Sequence, residues 1–182
     1  NVLGVEPHID TDIEYANGLT IKKTWVHELD EEQDIVMFHH SFEHLPDPIE
    51  ALEAVYRLLS PNGKCMIRIP LVSSEAWKKY GTHWVQLDAP RHFFLYSIES
   101  LKVLAGKTNF KIKEIVYDST EFQFWGSEQN LKGIPLMAEN SHGRNPDKSD
   151  FSQEEIKNYK KMAKKLNREG LGDQVAVYLV KE

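Results

Sequence analysis

Short apolar runs and amphipathic stretches alternate along most of the chain. Runs rich in β-branched and other apolar residues predict strands at 2–5, 20–26, 34–38, 64–69, 110–117 and 174–180. The run at 34–38 is apolar without alternation, which is typical of a strand covered on both faces. Strands that alternate with helices in this way predict an α/β domain with a mainly parallel sheet.

Three helices carry clear boundary signals. Asp47 followed by Pro48 begins the first, in which apolar residues recur at helical spacing up to residue 59. Ser97 begins the second, which ends near residue 106. Ser152 and Glu155 have the spacing of a capping box and begin the third, which extends to about residue 168.

Two segments lack a firm period. Residues 71–92 predict a long loop or short helices and contain Trp77, Tyr80 and Trp84. Between 119 and 149, aromatic residues are followed by a polar stretch, 139–149, that predicts a mobile loop. We therefore expect a single domain over 1–182, with residues 119–150 as a lid or loop insertion.

Composition narrows the classes of function. The formal net charge is -6, which disfavours a nucleic-acid partner because phosphate binding usually needs a basic protein. With one cysteine, Cys65, the chain forms no internal disulfide, and we expect Cys65 in the core and the protein in the cytoplasm. No apolar stretch is long enough to span a membrane. The sequence does not specify an oligomeric state.

Three segments, in this order, carry a resemblance to a known family. They are Val5-Glu6-Pro7, then Glu43-His44-Leu-Pro-Asp47-Pro48 followed by Leu58-Leu59-Ser-Pro61-Asn-Gly63, and then Trp84 to Phe94 with Asp88-Ala-Pro90-Arg91-His92. Together they resemble the class I S-adenosylmethionine-dependent methyltransferases, specifically the small-molecule group close to the ubiquinone-biosynthesis enzymes. The resemblance spans about 1–118 and resumes at the last strand. It implies a Rossmann-like, mostly parallel sheet with a C-terminal antiparallel strand, and S-adenosylmethionine as cofactor.

One family element is absent from this sequence. The family's first strand, with its Gly-x-Gly-x-Gly loop, should precede Asn1, and the family sheet places it between the strands that begin at Val2 and Asp34. Either this strand lies outside the sequence, or its two neighbours pair directly. We therefore expect an N-terminally truncated domain that is a poor catalyst by itself.

The resemblance also implies roles for individual residues on the cofactor side. Glu6 would hold the ribose of S-adenosylmethionine, because a carboxylate accepts hydrogen bonds from vicinal hydroxyls. Pro7 would lie beside it, and His40 and Ser41 would line the edge of the cofactor. Residues 25–28 lie where the family contacts adenine, without one clear ligand.

On the acceptor side, His44 and His92 are candidates for the general base, since imidazole titrates near neutral pH. An equal alternative for His44 is a structural role in its loop. Trp84, Arg91 and Trp125 are candidate acceptor contacts, although Arg91 could instead pair with Asp88, and the tryptophans could be ordinary core residues.

The predicted function is methyl transfer from S-adenosylmethionine to an oxygen, or as second choice a nitrogen, of a small-molecule acceptor. Three alternatives stay open. Glu43, His44 and His92 could hold a divalent cation, as in some related methyltransferases. The pattern His40-x-x-Glu43-His44 also occurs in zinc peptidases, although the prolines that follow disfavour the long helix this chemistry needs. A non-catalytic methyltransferase-like binding module is the third.

Overall fold

A computed structural model describes residues 2–182. The strands are β1 (Leu3–Val5), β2 (Ile13–Glu14), β3 (Thr20–Lys22), β4 (Gln33–His39), β5 (Leu59–Pro70), β6 (Phe110–Tyr117) and β7 (Gln174–Lys181). The α-helices are α1 (Pro48–Leu58), α2 (Glu75–Tyr80), α3 (Ile98–Lys107), α4 (Phe122–Leu131) and α5 (Gln153–Glu169). Short 3-10 helices occur at Val26–Glu28, Phe42–His44, Gly81–His83 and Pro146–Lys148.

The main sheet has the strand order β4-β5-β7-β6. Strands β4 and β5 are parallel, whereas β7 is antiparallel to both β5 and β6. Strands β4, β5 and β6 therefore run in one direction, and their carboxyl ends meet at one rim. This arrangement confirms the predicted Rossmann-like α/β fold with an antiparallel C-terminal strand.

A separate three-stranded sheet has the order β1-β3-β2, in which β1 and β3 are parallel. Within residues 2–182, β1 pairs with β3 alone and β4 with β5 alone. The alternative in which β1 and β4 pair directly is therefore wrong. On the other sides of β1 and β4, the described residues supply no paired strand.

The main core lies on one face of the main sheet, where α1 and α3 pack. Helix α1 begins as predicted, since the Asp47 carboxylate accepts hydrogen bonds from the first-turn backbone N–H groups and Pro48 follows it. Cys65 is fully buried in this core, and burial raises the pKa of its thiol to about 12, which confirms its structural role. On the opposite face of β4, Ile35 and Met37 are 61% and 64% exposed.

The predicted turn at 60–63 forms a bulge inside β5. The pairing changes from Gln33 with Leu59 to Ile35 with Lys64, so the four residues 60–63 oppose the single residue Asp34 and β5 has three extra residues. A Cβ atom on Gly63 would lie 3.0 Å from the Ser60 carbonyl oxygen, which explains the preference for glycine in this bulge.

A second, smaller hydrophobic cluster is formed mainly by α2, α4 and α5. Its buried members are Ala76, Tyr80, Trp84, Phe124 and Ala163. Both α4 and α5 lie in the connection between β6 and β7, which leaves the sheet at the rim. We call these helices, together with α2, the helical cap.

Part of the predicted mobile loop is held by specific contacts to the helical cap. The buried Gln129 side chain donates to Ser141 Oγ at 3.1 Å and accepts from the His142 backbone N–H at 2.7 Å. Ser141 is itself fully buried. The segment that follows α4 therefore packs against it.

The longest described helix, α5, has 17 residues and carries many lysines. Among residues 2–182, no helix combines the length and apolar composition needed to cross a membrane.

Candidate active site

The predicted site residues come from the carboxyl ends of two strands, each in a different sheet. Glu6 and Pro7 follow β1, while His40 and Ser41 follow β4. Ligands of open α/β sheets bind outside such strand ends. The rest of the site comes from the 3-10 helix Phe42–His44 and from the segment 86–93.

Glu6 is exposed at the end of β1, as the ribose assignment requires. Its backbone N–H donates to the Lys22 carbonyl at 3.0 Å, which fixes the residue against β3. Its Oε1 accepts from the His8 backbone N–H at 3.0 Å. Across residues 2–182 the structure shows no hydrogen-bond partner for Oε2, so one carboxylate oxygen is available to a ligand hydroxyl.

Aromatic rings lie close to the Glu6 turn. The His8 ring contacts the Trp25 ring edge-on at 5.6 Å, and His27 stacks on Trp25 at 6.0 Å. Glu28, at the place where the family contacts adenine, is engaged locally. It accepts from the Trp25 backbone N–H and the Thr24 hydroxyl, and these bonds lower the pKa of its carboxyl. Trp25 therefore packs with two histidine rings, while Glu28 stabilises its own turn.

Glu43 is the most unusual acid of the rim. It is 1% exposed, and within residues 2–182 neither carboxylate oxygen has a hydrogen-bond partner. Two imidazole nitrogens lie near Oε1, His40 Nδ1 at 3.5 Å and His92 Nε2 at 3.9 Å. Buried carboxylates without partners are costly, so Glu43 is a strong candidate for a functional role.

The tautomer of His44 follows from one contact. Its Nδ1 lies 2.8 Å from the Arg91 carbonyl oxygen, which can only accept, so the ring proton is on Nδ1. The lone pair is then on Nε2, which is the nitrogen available as a base or a ligand. The His44 and His92 rings lie 4.9 Å apart.

His92 has a side chain only 8% exposed. Burial lowers its pKa, while the nearby Glu43 and Asp88 carboxylates act in the opposite direction. The imidazole is therefore neutral at pH 7, as a general base or metal ligand must be.

The structure brings Glu43, His44 and His92 together as one group, with ligand atoms all within 4.8 Å of one another. One carboxylate and two imidazoles are donors that suit Zn²⁺, Mn²⁺ or Fe²⁺. The run from His40 to His44 contains a three-residue 3-10 helix rather than a long helix. It therefore lacks the long helix on which zinc peptidases place two histidines on one face.

Both the side chain and the backbone of Arg91 have partners. Its guanidinium donates to Asp88 Oδ1 at 2.8 and 3.1 Å, which is the alternative that the sequence left open. The carbonyl oxygen of Arg91, by contrast, orients His44.

The two predicted acceptor tryptophans lie elsewhere. Trp84 is 1% exposed, packs against Trp77 and donates from Nε1 to Asp173 at 2.9 Å. This corrects its assignment, since an indole buried in the helical cap and bonded there is a core residue. Trp125 lies half-buried on α4 against Phe122 and His142, so it belongs to the helical cap and not to the histidine group.

The sequence did not predict a series of hydrogen-bonded side chains across the rim. Arg68 of β5 donates from Nε to Asp118 at 2.6 Å and from one terminal nitrogen to His39 and His40. Asp118 also accepts from the Gln174 side chain at 2.8 Å. The available signal was an arginine inside an otherwise apolar strand, which needs a partner.

Solved structures of similar fold come from several organisms. An S-adenosylmethionine-dependent methyltransferase of Thermotoga maritima, a possible histamine N-methyltransferase, has 17% identity and a TM-score of 0.59 over 99% of this chain and 72% of that one. One from Archaeoglobus fulgidus has 20% identity and a TM-score of 0.54, covering 99% and 75%. A cyclopropane synthase of Mycobacterium tuberculosis has 15% identity and a TM-score of 0.54, covering 100% and 70%. At these identities the likeness shows the fold.

No curated protein matches the chain. A family model does match: residues 1–115 fit the methyltransferase domain. This match covers more than half of the chain, which therefore belongs to the methyltransferase domain family, as the sequence motifs predicted.

Proposed function

We propose that this chain binds S-adenosylmethionine and methylates an oxygen, or as second choice a nitrogen, of a small-molecule acceptor. Family membership supports methyl transfer, and the structural neighbours of Thermotoga maritima and Archaeoglobus fulgidus are described as S-adenosylmethionine-dependent. The observation that carries the proposal is an exposed, half-free carboxylate, Glu6, at the end of β1, beside an aromatic face.

Residues of this chain fit the nucleoside part of the cofactor. The free Glu6 Oε2 can accept from a ribose hydroxyl, and the aromatic group of His8, Trp25 and His27 would pack against the base. His40 and Ser41 would line the cofactor edge from the end of β4. The bound cofactor supplies a methyl group on a positively charged sulfur, ready for displacement.

His44 is the proposed general base. Since its proton is on Nδ1, its Nε2 would take the proton of an acceptor hydroxyl, while the oxygen–carbon bond that forms replaces the carbon–sulfur bond that breaks and S-adenosylhomocysteine leaves. His92 would stand behind it as a second neutral imidazole. The exposed Arg91 and the half-buried Trp125 remain proposed acceptor contacts, and residues 119–150 a proposed lid, which now includes α4.

Calorimetric titration with S-adenosylhomocysteine tests the cofactor role. We expect Glu6→Gln to weaken binding at least tenfold, because a charge-assisted hydrogen bond contributes about 1.5–3 kcal/mol. Glu14→Gln, at an exposed carboxylate on β2, is the matched control and should bind normally. No binding at millimolar ligand would leave the non-catalytic binding module as the better function.

A second candidate is a divalent-cation site at Glu43, His44 and His92, favoured by the buried Glu43 carboxylate without partners. Such an ion would supply Lewis-acid chemistry to a bound acceptor oxygen. Titration with Mn²⁺ and with Zn²⁺ should then show one site that Glu43→Gln removes and Glu114→Gln, an exposed acid on β6, retains. A wild-type chain that binds neither ion would reject this candidate and leave the methyltransferase proposal intact.

A further inference from the structure

Arg68 joins the carboxyl ends of β4, β5 and β6. From one side its Nε donates to Asp118 Oδ2 at 2.6 Å, and Asp118 in turn is held by the Gln174 side chain. From the other side its Nη1 lies 3.0 Å from His39 Nε2 and 3.1 Å from His40 Nε2. The guanidinium is thus oriented by one acid and faces two imidazoles.

The donor capacity of arginine fixes the protons of both rings. A guanidinium has N–H donors and no acceptor, so each Nε2 that it contacts must accept. One nitrogen with two hydrogens can supply both bonds. A neutral imidazole that accepts at Nε2 carries its proton on Nδ1. His40 therefore presents an N–H donor at Nδ1.

That donor lies near Glu43. His40 Nδ1 lies 3.5 Å from Glu43 Oε1, and it is nearer than any other side-chain nitrogen shown for this carboxylate within residues 2–182. His40 is held in the left-handed region, with φ of 53°, although it is not glycine. Its backbone N–H donates to the Arg68 carbonyl at 2.9 Å. Arg68 thus holds His40 by its main chain and by its side chain.

We infer that Arg68 is a positioning residue of the methyltransferase site: it fixes the Nδ1–H tautomer of His40 and holds that N–H beside the buried Glu43 carboxylate. Through His40 it also orders the turn that carries Ser41 and the Glu43-His44 pair. Only the role of this turn in binding the cofactor and the acceptor rests on the proposed function. The tautomer itself follows from the hydrogen bonds.

Nitrogen-15 NMR of histidine-labelled protein without ligand measures the tautomer directly. In the wild type, His40 should show a protonated Nδ1 and an unprotonated Nε2. Arg68→Gln should shift the His40 and His39 signals toward a mixture of tautomers, while the exposed His83 should not change. Asp118→Asn keeps the guanidinium and should keep the His40 tautomer, which separates the contact with Arg68 from a general loss of the rim.

Arg68→Lys covers the case in which Arg68→Gln fails to fold. Lysine keeps the charge but lacks the planar fork, so it cannot serve Asp118 and both imidazoles together. We expect a partial tautomer shift and about tenfold weaker binding of S-adenosylhomocysteine, as for the loss of one charge-assisted hydrogen bond. The inference is overturned if wild-type His40 carries its proton on Nε2, or if folded Arg68 variants leave the His40 tautomer unchanged. Failure of the wild type to bind S-adenosylhomocysteine would instead reject the proposed function.

Discussion

At the residue scale, His92 couples the site to pH. Burial lowers its pKa below the ordinary value of 6.5, so as pH falls the unfolded chain binds a proton first. The contribution of His92 to the free energy of unfolding is therefore fully present above about pH 6.5. It declines as the pH decreases toward the lower pKa of the folded state.

Urea unfolding between pH 8 and pH 5 measures this dependence. The His92→Gln variant should lose less stability on acidification than the wild type, and His83→Gln, at an exposed ring on the 3-10 helix after α2, should follow the wild type. Equal acid sensitivity in the wild type and His92→Gln would contradict the lowered pKa of His92 in the folded protein.

A substitution at Trp84 tests whether this residue belongs to the core rather than to the binding site. Its indole N–H donates to the buried Asp173, whose carboxylate also accepts from Gln86 at 2.6 Å. Trp84→Phe keeps most of the ring volume but removes one donor, so we expect a loss of about 1–3 kcal/mol in the free energy of unfolding. Binding of S-adenosylhomocysteine should be unchanged. Trp125→Phe, on the cap surface, should cost clearly less in the same urea titration.

At the element scale, the sequence predicted those helices whose start signals are local. Ser97 and Ser152 each accept from a backbone N–H three residues later, as their spacing implies. Helix α4 was missed because it lacks such a signal. The Glu121 side chain, which immediately precedes the helix, caps none of its backbone N–H groups. The buried face of α4 includes Gln123 and Gln129, which a hydrophobic pattern cannot reveal.

In the candidate site, too, local motifs predicted some contacts, while others depend on the arrangement of the strands. Glu43 and His44 are neighbours in sequence, and His92 belongs to a motif that places it nearby, so their grouping was predictable. The Arg68–Asp118 pair joins residues 50 positions apart across the sheet, and that pairing depends on strand order, which local sequence does not encode. Trp84 was misassigned because an aromatic residue has the same pattern in a lid and in a core.

At the scale of the whole molecule, the open edge of β4 is the main consequence of the two-sheet arrangement. On its inner side β4 pairs with β5, whereas on its outer side no described strand supplies partners. Exposed Ile35 and Met37 lie on the same strand. Unpaired backbone groups at a sheet edge depend on water or another chain for hydrogen bonds.

Amide hydrogen exchange should therefore be faster in β4 than in its neighbour β5. We expect peptides covering 33–39 to contain a fast-exchanging fraction, whereas those covering 64–68, which pair on both sides, should be protected as a block. A dilution series analysed by sedimentation accompanies the measurement, because a second copy on the β4 edge would slow exchange in a concentration-dependent way. Full protection of 33–39 in a dilute monomer would contradict the open edge, since the β4 backbone groups would then have partners that the two-sheet arrangement does not provide.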